Sequence, residues 1–582
     1  MVAGHLRTGF GWLWKGLSCE NAGRHSGNCL TVMGQLKVLR PLRRASETTW
    51  APPGRVGSPR VQIVALTALA IAGFVGVLLA TTHGIGLEPD SQAYIAGARS
   101  LAQGHGYAYS TPGGGYQPIL IWPPVYSLVL SIPGFVGFDA MGCARILAAM
   151  VLAANVFMVG WLIRRHPRSG FWPPLVGATL VLASTDMLNV HIRALSEPLF
   201  ICFTLLGTLC LARAIEKGSL PLLYCAAFVL GVAVTTRVAG LAFVVAGTIL
   251  VSLEAGRLWR KRVAQTWTFF AVAMLPFLVW GTRNRLVGGS FTGRELGWHP
   301  VGTAGWRQIG GSVASWLVPE TSPPWLRSVG LTLVVLILVV MVGVFARERQ
   351  ILPDPPLVAS FLLVGVVCYF GLYVFVMTFI DASIGFERRT MLPLYVFLMI
   401  VVFLTLAHRR FPRVSTWRGV PGILLVGVLA WFGARVVLWF RVVSADAQGI
   451  AARRFEASET LAMAKHYLGN TECIYTNNGP AIYFHLGQAA YPVPRTWDAA
   501  LARGNESFAR DTRAMLDCLT HHRGIILWFF DFPTKENASD LRSLQGKVPL
   551  ECLFRGTDGV ILGSHTMILL QGAPQASKEP PG

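Results

Sequence analysis

The sequence predicts an α-helical polytopic membrane protein of about eleven spans, followed by a small C-terminal α/β domain. Three observations predict it. Of 582 residues, 53% are hydrophobic and only 14% are charged, where a soluble chain carries about a quarter charged. The apolar residues fall in blocks of about 17–25, the length that crosses bilayer hydrocarbon. Lysine and arginine gather in short loops between the blocks, the positive-inside pattern. The net charge of +21 therefore belongs to membrane topology, and no nucleic-acid partner is expected.

Residues 1–59 differ from the rest of the chain. They are rich in Gly, Arg, Ser and Trp, without periodicity or a signal-peptide core. They read as a disordered basic segment, or as sequence upstream of a start at Met33. Lys37, Arg40, Arg43, Arg44, Arg55 and Arg60 hold this end in the cytoplasm. The first apolar block, 61–82, then carries the chain out, and residues 91–137 stay outside. Within them 91–103 suits a short helix, and 119–137 a Pro-interrupted apolar helix lying along the interface. Further spans fall at about 139–163, 172–188, 197–214, 219–235, 238–254, 265–282, 328–345, 357–380, 390–407 and 419–440, with a long outside loop from 284 to 326. This count puts the basic clusters Arg164-Arg165-His166, Arg260-Lys261-Arg262 and His408-Arg409-Arg410 inside.

The membrane domain is expected over 60–440 and a second domain over 441–575, with 576–582 a disordered tail. In the second domain helix-like stretches at 456–468 and 505–519 alternate with strand-like runs at Cys473–Thr476, Ile525–Phe530 and Gly559–Leu562, which reads as α/β. The ten cysteines contain no CxxC pair. Those in apolar runs pack as small hydrophobes. Cys473, Cys518 and Cys552 lie in the tail, where one pair is free to form a disulfide.

Chemistry-bearing residues concentrate on the predicted outer face. Asp90, in Glu88-Pro89-Asp90-Ser91, comes just after the first span, where a lipid head group also sits. It is either a general base or a helix-capping acid. Glu197, in Leu195-Ser196-Glu197-Pro198, opens the fourth span on the same side. A carboxylate entering an apolar helix is costly and functional by default; a first-turn acid before proline is the plainer alternative. Arg193, Arg237, Arg283, Arg388 and Arg389 lie on the side that positive-inside depletes, where a planar guanidinium suits a phosphate. Ordinary flanking charge is the competing explanation. Arg193 also lies close enough in sequence to pair with Glu197. Neither an HExxH nor an Asp-x-Asp motif occurs, and Gly113-Gly114-Gly115 reads as a flexible turn.

The order Glu-Pro-Asp-Ser-x-x-Tyr94, Ala98-Arg99, Gly104-His105-Gly106-Tyr107 and Trp122-Pro123-Pro124-Val125-Tyr126 resembles the first external loop of the C-superfamily (GT-C) membrane glycosyltransferases. These include protein mannosyltransferases, lipid A aminoarabinose transferases and RgtA/B/C/D-like proteins. The resemblance extends to an acid at Glu197, a Thr-Arg pair at Arg237, and Arg388-Arg389-Thr390-Met391-Leu392-Pro393 before a late span, where Thr390 replaces the usual aromatic residue. Ile474-Tyr475-Thr476-Asn477-Asn478 resembles the tail of some bacterial members. The resemblance implies an inverting hexosyl- or pentosyltransferase of the bacterial plasma membrane. It would move sugar from a polyprenyl-phosphate donor to an envelope lipid, glycan or protein. Asp90 would be its base, Glu197 a supporting acid, and one or more of the arginines the phosphate-binding groups. A divalent ion shared by Asp90 and Glu197, as in some relatives, is the single cofactor the resemblance admits. A flippase or transporter of lipid-linked sugars is the first rival; it predicts internal repeats and midplane charge. A non-catalytic membrane scaffold is the second.

Overall fold

The computed structural model describes residues 58–166, 169–253, 258–351, 357–408, 420–468, 471, 473–530 and 550–563. The expectations for residues 1–57 and 576–582 lie outside the described residues.

Ser58 caps the first helix by accepting from the Arg60 N–H, and Pro59 supplies a preset φ at its first position. In chain order come α1 (Pro59–Ala80), α2 (Pro89–Ala102), a hairpin of β1 (Ala108–Ser110) and β2 (Tyr116–Pro118), α3 (Val125–Gly134) and α4 (Ala140–Arg164). Next are α5 (Trp172–Leu182), α6 (Thr185–His191), α7 (Glu197–Lys217), α8 (Leu220–Thr236), α9 (Leu241–Leu253), α10 (Trp259–Gly288) and α11 (Thr303–Ala314). The last of this set are α12 (Pro324–Ile351), α13 (Leu357–Phe379), α14 (Arg388–His408) and α15 (Val420–Val443). Among the described residues eight helices, α1, α4, α7, α10, α12, α13, α14 and α15, are long and apolar enough to cross a membrane. The chain is an integral membrane protein. The third, fifth and sixth expected spans are the shorter apolar helices α5, α8 and α9.

Two expectations need correction. The third span is not one helix: α5 stops at Leu182, and Ser184 caps a new helix by accepting from the Met187 N–H at 3.4 Å. A Ser-Thr-Asp start signal overrides apolar continuity there. The stretch 284–326 is not simply a loop. α10 runs on to Gly288, and α11 forms despite three glycines and is tied to the chain before α14, its Gln308 side chain accepting from the Phe386 N–H at 3.0 Å.

An aromatic core lies among the central helices. Phe200, Phe243, Phe361, Phe397 and Tyr369 are fully buried, and the Phe243 and Phe397 rings meet edge-on at 4.7 Å. The Tyr369 hydroxyl donates to the Thr390 carbonyl at 2.9 Å. That bond fixes the first turn of α14, and Thr390 itself donates to the Glu387 carbonyl at 2.8 Å.

The C-terminal region adds α16 (Arg453–Glu456), α17 (Glu459–Leu468), β3 (Ile474–Thr476), α18 (Gly479–Leu486), β4 (Tyr491–Pro492), β5 (Trp497–Asp498), β6 (Arg503–Gly504), α19 (Phe508–His521), β7 (Ile525–Phe529), β8 (Glu551–Arg555) and β9 (Gly559–Gly563). The main sheet has order β4-β3-β7-β9-β8, parallel through β7 and antiparallel beyond it. Period-two alternation splits its side chains. Ile474, Ile525, Leu527, Phe529 and Ile561 join the core that includes the membrane helices, while Tyr475, Ile526, Trp528 and Leu562 pack with Met515 and Leu519 of α19. Cys473 and Cys518 are disulfide-bonded, and Cys552 is free.

One backbone junction positions the loop after α1. Gly86 donates to the Ile192 carbonyl at 2.8 Å and accepts from Ala194 at 2.9 Å; Leu87 donates to the Gln448 carbonyl at 3.0 Å and accepts from Ile450 at 2.8 Å. Residues 86–87 are thus the middle line of three paired segments from distant parts of the chain. Each crossing has a glycine on one side, Gly86 against Arg193 and Gly449 against Leu87. Gly449 has φ +67°, and a Cβ there would sit 2.1 Å from the Leu87 carbonyl oxygen. Gly449→Ala is therefore expected to break the junction and lower the thermal unfolding temperature of the purified protein. An unchanged melting curve would show that the junction yields without cost.

Candidate active site

The motif Glu88-Pro89-Asp90-Ser91-x-x-Tyr94 builds the site mainly through its neighbours. The Glu88 N–H donates to Ser91 Oγ at 2.9 Å, which closes the first turn of α2. Ser91 Oγ in turn donates to the Ala194 carbonyl at 2.9 Å. One turn on, the Tyr94 hydroxyl meets Ser196 Oγ at 2.8 Å. Ser91 and Tyr94 share a helix face at i, i+3, and both hook α2 onto the turn that delivers Glu197. Burial, then the charges of Asp90 and Glu197, pushes the Tyr94 hydroxyl well above its usual range. It stays protonated and holds its bond. Asp90 lies on another part of α2 and keeps 28% of its side chain exposed.

Two arginine–carboxylate pairs face this region. Arg389, in the first turn of α14, places Nη1 2.8 Å from Asp90 Oδ2 and Nε 2.9 Å from Glu387 Oε2. Arg237 lies between α8 and the next short turn with φ −154° and ψ 125°. That extended residue turns its side chain to Glu197, with Nη1 2.9 Å from Oε1. Glu197 is only 1% exposed, and neither of its oxygens accepts a hydrogen bond of good geometry among the described residues. Its compensation is the charge of Arg237. Arg389 stands within electrostatic reach of Glu197 as well as Asp90, so the two pairs form one cluster. The pairs differ in cost of separation. The Asp90–Arg389 pair keeps about a third of its side-chain surface exposed and is the cheaper to open, whereas stranding one partner of a buried pair costs about 3–5 kcal/mol.

The other expected residues take different places. Arg193 pairs with Glu88 at 3.3 Å rather than with Glu197. Arg283 donates to the carbonyls of Ile119 at 2.8 Å and Tyr107 at 2.7 Å, so it clamps the ends of the β1–β2 hairpin and does not join the carboxylates. Arg388 turns away from its neighbour to Glu320 at 3.0 Å and Asp186 at 3.8 Å. Sequence left Arg388 and Arg389 equivalent; the structure sets only Arg389 on Asp90. Sequence reasoning missed Arg294, which is paired with Asp381 and lies within electrostatic reach of Asp90. It also missed Tyr109, which senses the Asp90 charge. Arg294 sits in an aperiodic loop between Gly293 and Glu295, and no local signal marks it. Among the described residues no three His, Cys, Asp or Glu side chains converge as a metal site.

The arrangement offers a reachable carboxylate beside a guanidinium whose fork fits an anion, at the end of an apolar bundle. Solved structures share its architecture. ArnT from Cupriavidus metallidurans in the apo state superposes with a TM-score of 0.55 at 13% identity, over 89% of this chain and 99% of that one. The same protein bound to undecaprenyl phosphate superposes at 0.52 and 13% identity, over 89% and 100%. The chain has a GT-C-like fold. No protein-family model and no curated protein matches the sequence. Within this GT-C-like frame Asp90 and Glu197 come from the first turns of α2 and α7, and Arg237 and Arg389 close on them from the end of α8 and the first turn of α14.

Proposed function

We propose that this protein is a membrane glycosyltransferase that moves a sugar from a polyprenyl-phosphate donor to a cell-envelope acceptor. The observation that carries the reading is the pairing of Asp90 with Arg389 next to the buried Glu197–Arg237 pair. A sugar transferase needs a base for the acceptor hydroxyl and cations for the departing phosphate, and the cluster supplies both. The ArnT structure with undecaprenyl phosphate supports a lipid-phosphate donor.

In this reading Asp90 takes the acceptor proton. The acceptor oxygen bonds to the anomeric carbon as the carbon–oxygen bond to phosphate breaks, and configuration inverts. Arg389 stabilises the leaving phosphate, with Arg237 behind it. Glu197 is too buried to touch substrate and serves as a positioning residue for Arg237. Charge at the site is balanced by guanidinium groups, so the reading assigns no step to a divalent ion. The chain would lie in a bacterial plasma membrane with its N-terminus cytoplasmic and the sheet region outside. The Cys473–Cys518 disulfide supports that side, since disulfides persist in oxidising compartments. The Asp90–Arg389 and Glu197–Arg237 pairs sit at helix ends, which favours this reading over a transporter.

The test is sugar transfer by purified protein in lipid nanodiscs, from labelled polyprenyl-phosphate hexoses and pentoses to envelope extracts. Label should move to the acceptor fraction at a rate unchanged by a chelator. Loss of transfer on chelation would restore a bridging metal. No transfer from any donor, with no change in envelope sugar composition on gene deletion, would defeat the enzyme reading.

A further inference from the structure

We infer that the Asp90–Arg389 ion pair is a latch that the donor phosphate opens, so that the base is freed only when the donor is seated. This rests on the glycosyltransferase reading above. Arg389 is held from two sides. Its Nε bonds Glu387 at 2.9 Å, two residues away on the same turn, while Nη1 bonds Asp90 at 2.8 Å from the other end of the chain. The Glu387 contact therefore keeps the guanidinium aimed after Asp90 leaves. Asp90 and Arg389 are 28% and 33% exposed, so a phosphate reaches them, whereas Glu197 is sealed with Arg237.

Asp90 and a phosphate oxygen require the same donor edge. Two anions on one edge repel, and the planar fork favours the anion it binds bidentately. A displaced Asp90 finds little substitute. Among the described residues Arg294 also feels the Asp90 charge, and Arg294 is committed to Asp381. The freed carboxylate thus remains available to the acceptor. In the transfer step the acceptor O–H bond breaks and its proton goes to Asp90. The new oxygen–carbon bond forms, and the old carbon–oxygen pair leaves on the phosphate held by Arg389. Neutral Asp90 then has no charge with which to reclaim Arg389 until it loses that proton.

The test is a double-mutant cycle on the binding of polyprenyl monophosphate to protein in nanodiscs. Asp90→Asn should bind the lipid phosphate about three- to tenfold more tightly than wild type, because the competitor for Arg389 is gone. Arg389→Gln should bind at least about tenfold more weakly. The double variant should match Arg389→Gln, with no gain from removing Asp90. Should Arg389→Gln fail to fold, Arg389→Met, which keeps the aliphatic stem and removes the charge, takes its place in the cycle. Unchanged or weaker binding by Asp90→Asn overturns the latch and leaves the enzyme reading standing. An equal gain in the double variant also overturns it, since the effect would then be general repulsion. A wild-type protein that binds no polyprenyl phosphate removes the proposed function and the latch together.

Discussion

Asp90→Asn should reduce sugar transfer by a factor on the order of 10²–10⁴, the usual contribution of a general base. The substitution keeps size and hydrogen-bonding capacity and removes only proton affinity and charge. The fold should tolerate it. Ser91 and Tyr94 anchor α2 to the Ala194–Ser196 turn, and the Asp90–Arg389 pair is partly exposed, so little stability is at stake. The loss should fall on turnover, while donor affinity rises as the latch predicts. The measurement is steady-state transfer with donor titrated, alongside a melting curve. Near-normal turnover by a folded variant would remove Asp90 from the chemistry.

The second large effect is on stability. Glu197→Ala strands the Arg237 guanidinium in a buried site where no other carboxylate pairs with it among the described residues. The expected loss is about 3–5 kcal/mol, read as a lower unfolding temperature in detergent. Replacing both partners with apolar residues, Glu197→Leu with Arg237→Met, should recover most of that loss, because a buried pair exchanges nearly evenly for packed hydrophobes. The double variant should still be inactive, since the phosphate loses a cation. A single Glu197→Ala as stable as wild type would show that the pair is hydrated. Recovered activity in the double variant would remove Arg237 from the site.

Sequence resolved what is local. Apolar block length gave α1, α4, α7 and α13 to within a few residues, because hydrocarbon thickness imposes its own ruler. The β-branched and aromatic runs gave β7 and β9, while β8, Glu-Cys-Leu-Phe-Arg, lacks that composition and passed unseen. α11 was missed because its glycines argue against a helix that packing nonetheless enforces. The site shows the same division. Glu197 stood out by a carboxylate's cost at the start of an apolar segment, and Asp90 by its place just beyond the first span and its motif's resemblance. Which arginine meets which acid did not, because Arg389 lies 299 residues from Asp90 and no neighbouring pattern encodes that distance. Arg193 shows the reverse error. Nearness in sequence suggested Glu197, and the turn geometry gave Glu88 instead.

The backbone junction at Gly86 and Leu87 also sets when during synthesis the protein becomes competent. Its two flanks are contributed by residues 192–194 and 448–450. The first flank emerges early; the second comes after α15, the last long apolar helix among the described residues. Until Ile450 has left the ribosome and reached the correct side of the bilayer, Leu87 lacks its second partner. Such long-range closure is slow and comes late. A nascent or truncated chain therefore sits in the bilayer without a finished platform for Asp90, and the order in which the chain is threaded sets when that platform closes.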